Sequence, residues 1–165
     1  LHVRLHSFPT RRSSDLVEGY HGSVSVVHGP LVYALPVQGR WTQVNETAPH
    51  REFPHCDWEI HPVSSWNYGL DVSSGINPSR DPFGHPGFFS GNPGPMIQVS
   101  GRRIPQWNNE NGSAQTIPKE SFQSSHPLEK LLLIPYGCTK LRITEFPRLD
   151  QSTSQKEPEA FSGTD

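Results

Sequence analysis

The sequence is poor in the features that mark several large classes of protein. It holds two cysteines, too few to indicate a disulfide framework, and a single Cys56–Cys138 bridge stays open. It has no run of 18 apolar residues, so no segment reads as a membrane-spanning helix. Its net charge of −2 supplies no electrostatic attraction to nucleic acid or to an anionic membrane. We therefore expect neither nucleic acid nor a membrane as a partner.

Apolar residues are also scarce, whereas turn-forming residues are abundant. Hydrophobic residues make up 32% of the chain, and adding glycine leaves the apolar share below the roughly 45–50% of a typical globular domain. The 17 prolines and 14 glycines favour many turns and few helices. The chain therefore has core material for one modest domain, rich in loops.

Four stretches carry the signals of β-strands. SVSVVHGPLVYAL, residues 23–35, predicts two strands around a Gly-Pro kink, and MIQVSGRRIPQW, residues 96–107, begins as a third. CDWEI, residues 56–60, alternates with period 2, which places Trp58 among core residues. EKLLLIPYGCTKLRITEF, residues 129–146, predicts a hairpin of two apolar strands around a Pro-Tyr-Gly-Cys turn.

The remaining segments complete the predicted fold. WNYGLDV, residues 66–72, predicts a short strand beside residues 56–60, and the proline and glycine density of residues 73–95 predicts a long loop. Short strands, frequent turns and no convincing helix are typical of an all-β protein. We predict an antiparallel β-sandwich with long Pro/Gly-rich loops.

The two ends of the chain are expected to lie outside this domain. HSFPTRRSSDL, residues 6–16, has no apolar period and resembles a widely used sequencing-library adapter translated in frame. We expect residues 1–16 to be artefactual or disordered and to pack against nothing. The β-sandwich fragment is then residues 17–150, the C-terminal piece of a longer protein, and the polar residues 151–165 predict a disordered tail.

The densest cluster of chemically active side chains lies in HREFPHCDWEIH, residues 50–61. Strand alternation places Asp57, Glu59 and His61 on one face and Cys56 on the other, so these ligand types do not converge on a metal ion. Asp57 and Glu59 also point in parallel rather than flanking a bond, which disfavours a glycosidase carboxylate pair. We assign no catalytic and no metal-binding residue to the chain.

Aromatic side chains beside loops are the remaining candidates for a binding site. Trp66 and Trp107 border predicted loops, Tyr68 lies two residues after Trp66, and aromatic ring faces stack on sugar rings in carbohydrate-binding modules. The competing interpretation is that all three pack in the core. We carry them forward as candidate carbohydrate contacts, to be tested by their burial.

Four blocks of the sequence resemble one family of glycoside hydrolases. They are VHGPLVYAL (27–35), DWEIHPVSSWNYGL (57–70), IQVSGRRIPQW (97–107) and LLIPYGCTKLRITEFP (132–147). In this order, over about Ser23 to Pro147, they resemble the C-terminal part of the β-L-arabinofuranosidase family, glycoside hydrolase family 127. PYGCTKLRITEFP and SSWNYGL are the most specific of the matching segments.

The resemblance implies a parent enzyme larger than this chain. In that family an N-terminal (α/α)₆ barrel carries the chemistry, and β-sandwich modules follow it. There a zinc-held cysteine thiolate attacks the anomeric carbon and a glutamic acid protonates the leaving oxygen. Cys56 and Cys138 do not match those catalytic cysteines, so no catalytic role is carried over and no cofactor is expected in this fragment.

Two functional hypotheses follow from these observations. The first is a non-catalytic β-sandwich of a hydrolase acting on β-L-arabinofuranosides, inactive alone, whose partners are the missing barrel and, for the parent, a carbohydrate substrate. The second is an independent carbohydrate-binding module without hydrolase activity. The first predicts an exposed apolar surface, and the second predicts a solvent-facing aromatic platform.

Overall fold

The structure is a computed structural model that describes residues 14–79, 96–117 and 122–149. Apart from three short 3₁₀ turns, the regular elements of these residues are β-strands, and every pair of strands is antiparallel. The predicted all-β antiparallel fold is confirmed. The expected tail, residues 151–165, lies outside the described residues.

Twelve strands follow one another along the chain. They are β1 (Ser14–Glu18), β2 (Val24–His28), β3 (Leu31–Pro36), β4 (Gly39–Val44), β5 (Asp57–Pro62), β6 (Tyr68–Leu70), β7 (Asn77–Ser79), β8 (Met96–Arg103), β9 (Asn109–Glu110), β10 (Ser113–Ala114), β11 (Glu129–Pro135) and β12 (Arg142–Ile143).

Eight of the strands form one curled sheet. Its order is β1-β2-β3-β11-β8-β6, with β12 added to β3 and β7 added to β8. The segment after β12 then joins both sides of the sheet: Phe146 and Val24 exchange backbone hydrogen bonds of 2.8 and 2.9 Å, and Leu70 N–H donates to the Pro147 carbonyl at 2.9 Å. The sheet thereby folds over its own core in a sandwich-like arrangement.

The core lies inside this curl. Its buried side chains come from strands on both halves of the sheet and from the closing segment; they are Val24, Val26, Tyr33, Leu35, Tyr68, Leu70, Ile97, Val99, Leu131, Leu133 and Phe146. A smaller cluster of Ile104, Trp107 and Leu149 adjoins the end of β8. Apolar burial of this kind is the main force that favours the folded state.

Local sequence accounts for several of these elements. The predicted strands around Gly29-Pro30 are confirmed as β2 and β3, and Gly29 takes the positive φ of 57° that the turn between them requires. The strand predicted at the start of residues 96–107 is confirmed as β8, in which burial alternates residue by residue over most of its length, as in a half-buried strand. Gly101 lies on the inner side of β8, where a Cβ atom would come within 2.8 Å of the Gly69 carbonyl oxygen. Close packing of β6 on β8 therefore needs glycine at this position.

The predicted hairpin of residues 129–146 is wrong in its pairing. Among the described residues β11 pairs with β8 and β3, and β12 pairs with β3 rather than with β11. The shared core surface is nevertheless present, because Leu133 and Phe146 are wholly buried in one cluster. Tyr136, in the predicted Pro-Tyr-Gly-Cys turn, is 48% exposed and does not contribute to that surface. β3, the strand with which β11 and β12 both pair, comes from a part of the chain about a hundred residues away.

Two further expectations about neighbours are also wrong. β6 pairs with β8 and not with residues 56–60, whose strand β5 pairs only with β4 among the described residues. The segment 73–95 was expected to be loop throughout, but β7 pairs with β8 at its start. Its residues 80–95 lie outside the described residues.

The expectation that residues 1–16 pack against nothing is wrong for Ser14 to Leu16. These residues begin β1, which pairs with β2 in a register that sets Leu16 opposite Val26. The Leu16 side chain is partly buried against the core. An open strand edge accepts backbone hydrogen bonds from almost any extended segment, which explains the pairing without a specific sequence. Residues 1–13 lie outside the described residues, and the adapter origin of residues 6–16 stays a prediction.

Candidate functional site

The three predicted carbohydrate contacts are mainly core residues. Tyr68 and Trp107 are 7% and 3% exposed, and Trp66 is partly buried. The rings of Trp66 and Trp107 meet edge to face, with centroids 5.2 Å apart. Buried ring faces are closed to a sugar, so these side chains do not form a solvent-facing platform.

Polar partners fix two of these aromatic side chains in place. The Tyr68 hydroxyl donates to Glu129 Oε2 at 3.0 Å, and Trp107 Nε1 donates to the Gln115 carbonyl at 2.7 Å. Burial, and then the hydrogen bond to Glu129, raises the pKa of Tyr68 above its usual range. Each ring is therefore buried with its polar atom satisfied, as expected of a structural aromatic residue.

An aromatic surface exists elsewhere, on the hairpin of β4 and β5. Trp41 and Trp58 are 46% and 49% exposed, and their rings lie edge to face with centroids 6.2 Å apart. Lys140 Nζ lies 5.1 Å from the centre of the Trp41 ring, at cation–π distance. The prediction that Trp58 is a core residue is wrong, because the core face of the curled sheet does not extend over this hairpin.

The signal for this surface was present in the sequence but incomplete. Trp58 and Ile60 share a face, as the alternation predicted, and the strand register places Trp41 opposite Ile60 and Gln43 opposite Trp58. The alternation of β4 predicts the same face for Trp41 and Gln43. Neither pattern says which face of a hairpin another layer covers.

The opposite face of this hairpin carries the predicted row of polar groups. Asp57 Oδ2 accepts hydrogen bonds from Arg51 Nε at 2.7 Å and from Asn45 Nδ2 at 3.2 Å, and His61 Nε2 lies 3.3 Å from Glu59 Oε2. The hydrogen bond from Asn45, with the added effect of Arg51, lowers the pKa of Asp57. Nowhere in the described part of the chain do three or more His, Cys, Asp or Glu side chains form a group able to hold a metal ion.

Two depressions mark the surface near the chain's closing segment. One, of about 310 Å³, is lined by Trp107, Tyr20 and Arg142 among others. The other, of about 660 Å³, is mostly apolar and is lined by residues including Leu31 and Tyr136.

Glu145 contributes to the walls of both depressions and accepts a hydrogen bond from the buried Ser23 hydroxyl. Among the described lining residues it is the one carboxylate of either depression, and no cysteine is among them. The described linings therefore contain neither the two carboxyl groups of most glycosidases nor the cysteine and glutamic acid of the family that the sequence resembles.

No disulfide joins Cys56 and Cys138 in the structure. Burial raises the pKa of Cys138, which keeps that thiol protonated and weakly nucleophilic at neutral pH. This effect of burial disfavours a nucleophilic role for Cys138, and we assign it no role in chemistry.

Comparisons with protein-family models, with curated proteins and with solved structures find no match to this chain. Among the described residues there is no helix with the length and apolar character needed to cross a membrane.

Proposed function

We propose that this chain is a non-catalytic C-terminal β-sandwich of a glycoside hydrolase that acts on β-L-arabinofuranosides. The proposal rests on the four sequence blocks that resemble the β-L-arabinofuranosidase family. The observation that favours a scaffolding role is the burial of Tyr68 and Trp107, since both residues lie in those blocks and serve the core. In this role the domain packs against the catalytic barrel of its own polypeptide.

Exposed apolar side chains provide surface for such packing. The apolar depression beside β3 includes Val32 and Tyr136, which are 40% and 48% exposed. Exposed apolar area of this kind marks contact sites between domains or proteins. The zinc ion that the resemblance implies for the parent enzyme lies in the barrel, and the proposal assigns no metal ligand to this chain.

The alternative hypothesis, an independent carbohydrate-binding module, depended on Trp66, Tyr68 and Trp107 as an exposed platform. The burial of two of the three removes that support. A binding role for other residues is compatible with the scaffold proposal.

One experiment compares this chain with its parent. Genomic DNA upstream of the Val17 codon is recovered, the whole reading frame is expressed, and release of arabinose from an aryl β-L-arabinofuranoside is measured with zinc for both proteins. We expect zinc-dependent release by the longer protein and none by this chain, because the thiolate and the acid lie on the barrel. Release by this chain, or an upstream frame that encodes no helical barrel, contradicts the proposal.

A further inference from the structure

The exposed tryptophans of the β4–β5 hairpin have no role in the scaffold proposed above. Val37, between β3 and β4, donates its N–H to the Leu141 carbonyl at 3.0 Å, and the base of the hairpin is closed by Val63 N–H, which donates to the Gln38 carbonyl at 2.8 Å. Trp41 and Trp58 nevertheless leave about half of their surface in water. Two half-exposed indoles side by side form an apolar surface of a kind that is enriched at binding interfaces.

The surface is too small for a stable protein interface. A tryptophan side chain offers about 150–250 Å², so two half-exposed rings present roughly 200 Å² of aromatic area. A standard protein interface buries about 800 Å² on each partner. The area of Trp41 and Trp58 therefore suits a small ligand better than a second copy of the chain.

The charged group observed beside the tryptophans is positive. The strand register places Asp57 and Glu59 on the opposite face of the hairpin, away from the tryptophans. Lys140, whose Nζ lies 5.1 Å from the Trp41 ring centre, brings a positive charge to the tryptophan side, and no carboxylate among the described residues forms an ion pair with it. An ammonium group beside a flat apolar surface attracts an anionic ligand.

We propose that Trp41, Trp58 and Lys140 form a binding site for an acidic oligosaccharide, one that contains uronic acid rings. The C–H groups of a sugar ring pack on an indole face, and the uronate carboxylate accepts a hydrogen bond from Lys140. Gln43, opposite Trp58 in the register, provides amide groups for sugar hydroxyls. A few polar groups around aromatic side chains are typical of small-ligand sites. This inference does not rest on the proposed hydrolase parent.

The probe is an oligogalacturonate, compared with its fully methyl-esterified form, which has the same rings without the charge. Binding to the intact chain is measured by calorimetry. We expect the Kd for the acid to be at least about tenfold lower than the Kd for the ester at low salt, which corresponds to about 1.4 kcal/mol. We also expect this preference to shrink as salt is raised towards about 1 M, where charges are screened within about 3 Å.

Four variants locate the site. Lys140→Gln should lower affinity for the acid at least about tenfold and leave binding of the ester unchanged, and Trp58→Ala should weaken both. Lys130→Gln, which removes another exposed lysine, and Tyr136→Ala, which removes an aromatic residue outside the hairpin, should change neither.

Thermal melting checks that each variant is folded. If Trp58→Ala does not fold, the binding data for Lys140→Gln alone test the proposal. Equal binding of acid and ester, no binding of either, or equal losses in Lys140→Gln and Lys130→Gln would overturn the proposal. So would concentration-dependent dimers that Trp58→Ala abolishes, because they would identify the surface as a contact between copies.

Discussion

Single residues show what alternation in a sequence can and cannot establish. The period of CDWEI correctly places Trp58 and Ile60 on one face of β5, yet Trp58 is exposed, whereas Trp107, beside a predicted loop, is buried. A strand pattern reports which side chains share a face. Whether that face is covered depends on distant segments, here Trp66 and Leu149 around Trp107. The burial of the candidate site residues was therefore beyond what local sequence determines.

Tyr33 places a polar hydroxyl group in the apolar core. It is wholly buried, and its hydroxyl has no hydrogen-bond partner among the described residues. A buried polar group without a partner costs about 1–3 kcal/mol. We predict that Tyr33→Phe, which removes the hydroxyl and keeps the ring, raises the free energy of unfolding by about 1 kcal/mol in urea titrations.

The matched control for this change is Tyr68→Phe. The Tyr68 hydroxyl is also in the core region but donates to Glu129 at 3.0 Å, so its removal should lower the stability by about 1 kcal/mol. If both variants shift stability in the same direction, the hydroxyl of Tyr33 is satisfied in solution and the prediction is wrong.

At the scale of elements, the sequence identifies strands better than their partners. β2, β3, β8 and β11 follow from β-forming runs bounded by turn residues. The pairing of β11 with β12 was expected because the two are neighbours in the chain, but both pair with β3. Contacts between segments so far apart in sequence leave no periodic trace in either segment, so the topology was not predictable from them.

Phe146 tests the closing segment, which joins the two sides of the curled sheet. Its side chain is fully buried in the main cluster, and its backbone is bonded to Val24. We predict that Phe146→Ala lowers the free energy of unfolding by about 3–5 kcal/mol, the cost of removing a buried aromatic ring from a packed core. Chemical denaturation and the melting temperature both report the change.

The control for Phe146 is Phe53→Ala, because Phe53 is 86% exposed. An exposed phenylalanine should change stability by no more than about 0.5 kcal/mol. Unchanged stability in Phe146→Ala would mean that the closing segment does not hold the sheet in solution, and it would favour a surface role for Phe146.

For the whole molecule, the dependence of stability on pH distinguishes the effect of buried tyrosines from that of exposed tyrosines. Burial raises the pKa of Tyr33, with a further contribution from Cys138, and burial also raises that of Tyr68. Unfolded tyrosines lose their proton near pH 10, so the unfolded chain ionises first. The stability that these neutral side chains provide is complete below about pH 10 and is lost as pH rises through their folded pKa values.

We therefore predict that the urea midpoint of the chain falls steeply above about pH 10. The variant carrying both Tyr33→Phe and Tyr68→Phe should show a shallower fall. Phenylalanine has no hydroxyl to ionise, so these two positions no longer favour unfolding at high pH. Tyr20→Phe is the control, since Tyr20 is 69% exposed and should keep the slope of the original chain. Equal slopes for all three proteins would show that alkaline unfolding starts outside the core, and that the two buried hydroxyls do not set its pH range.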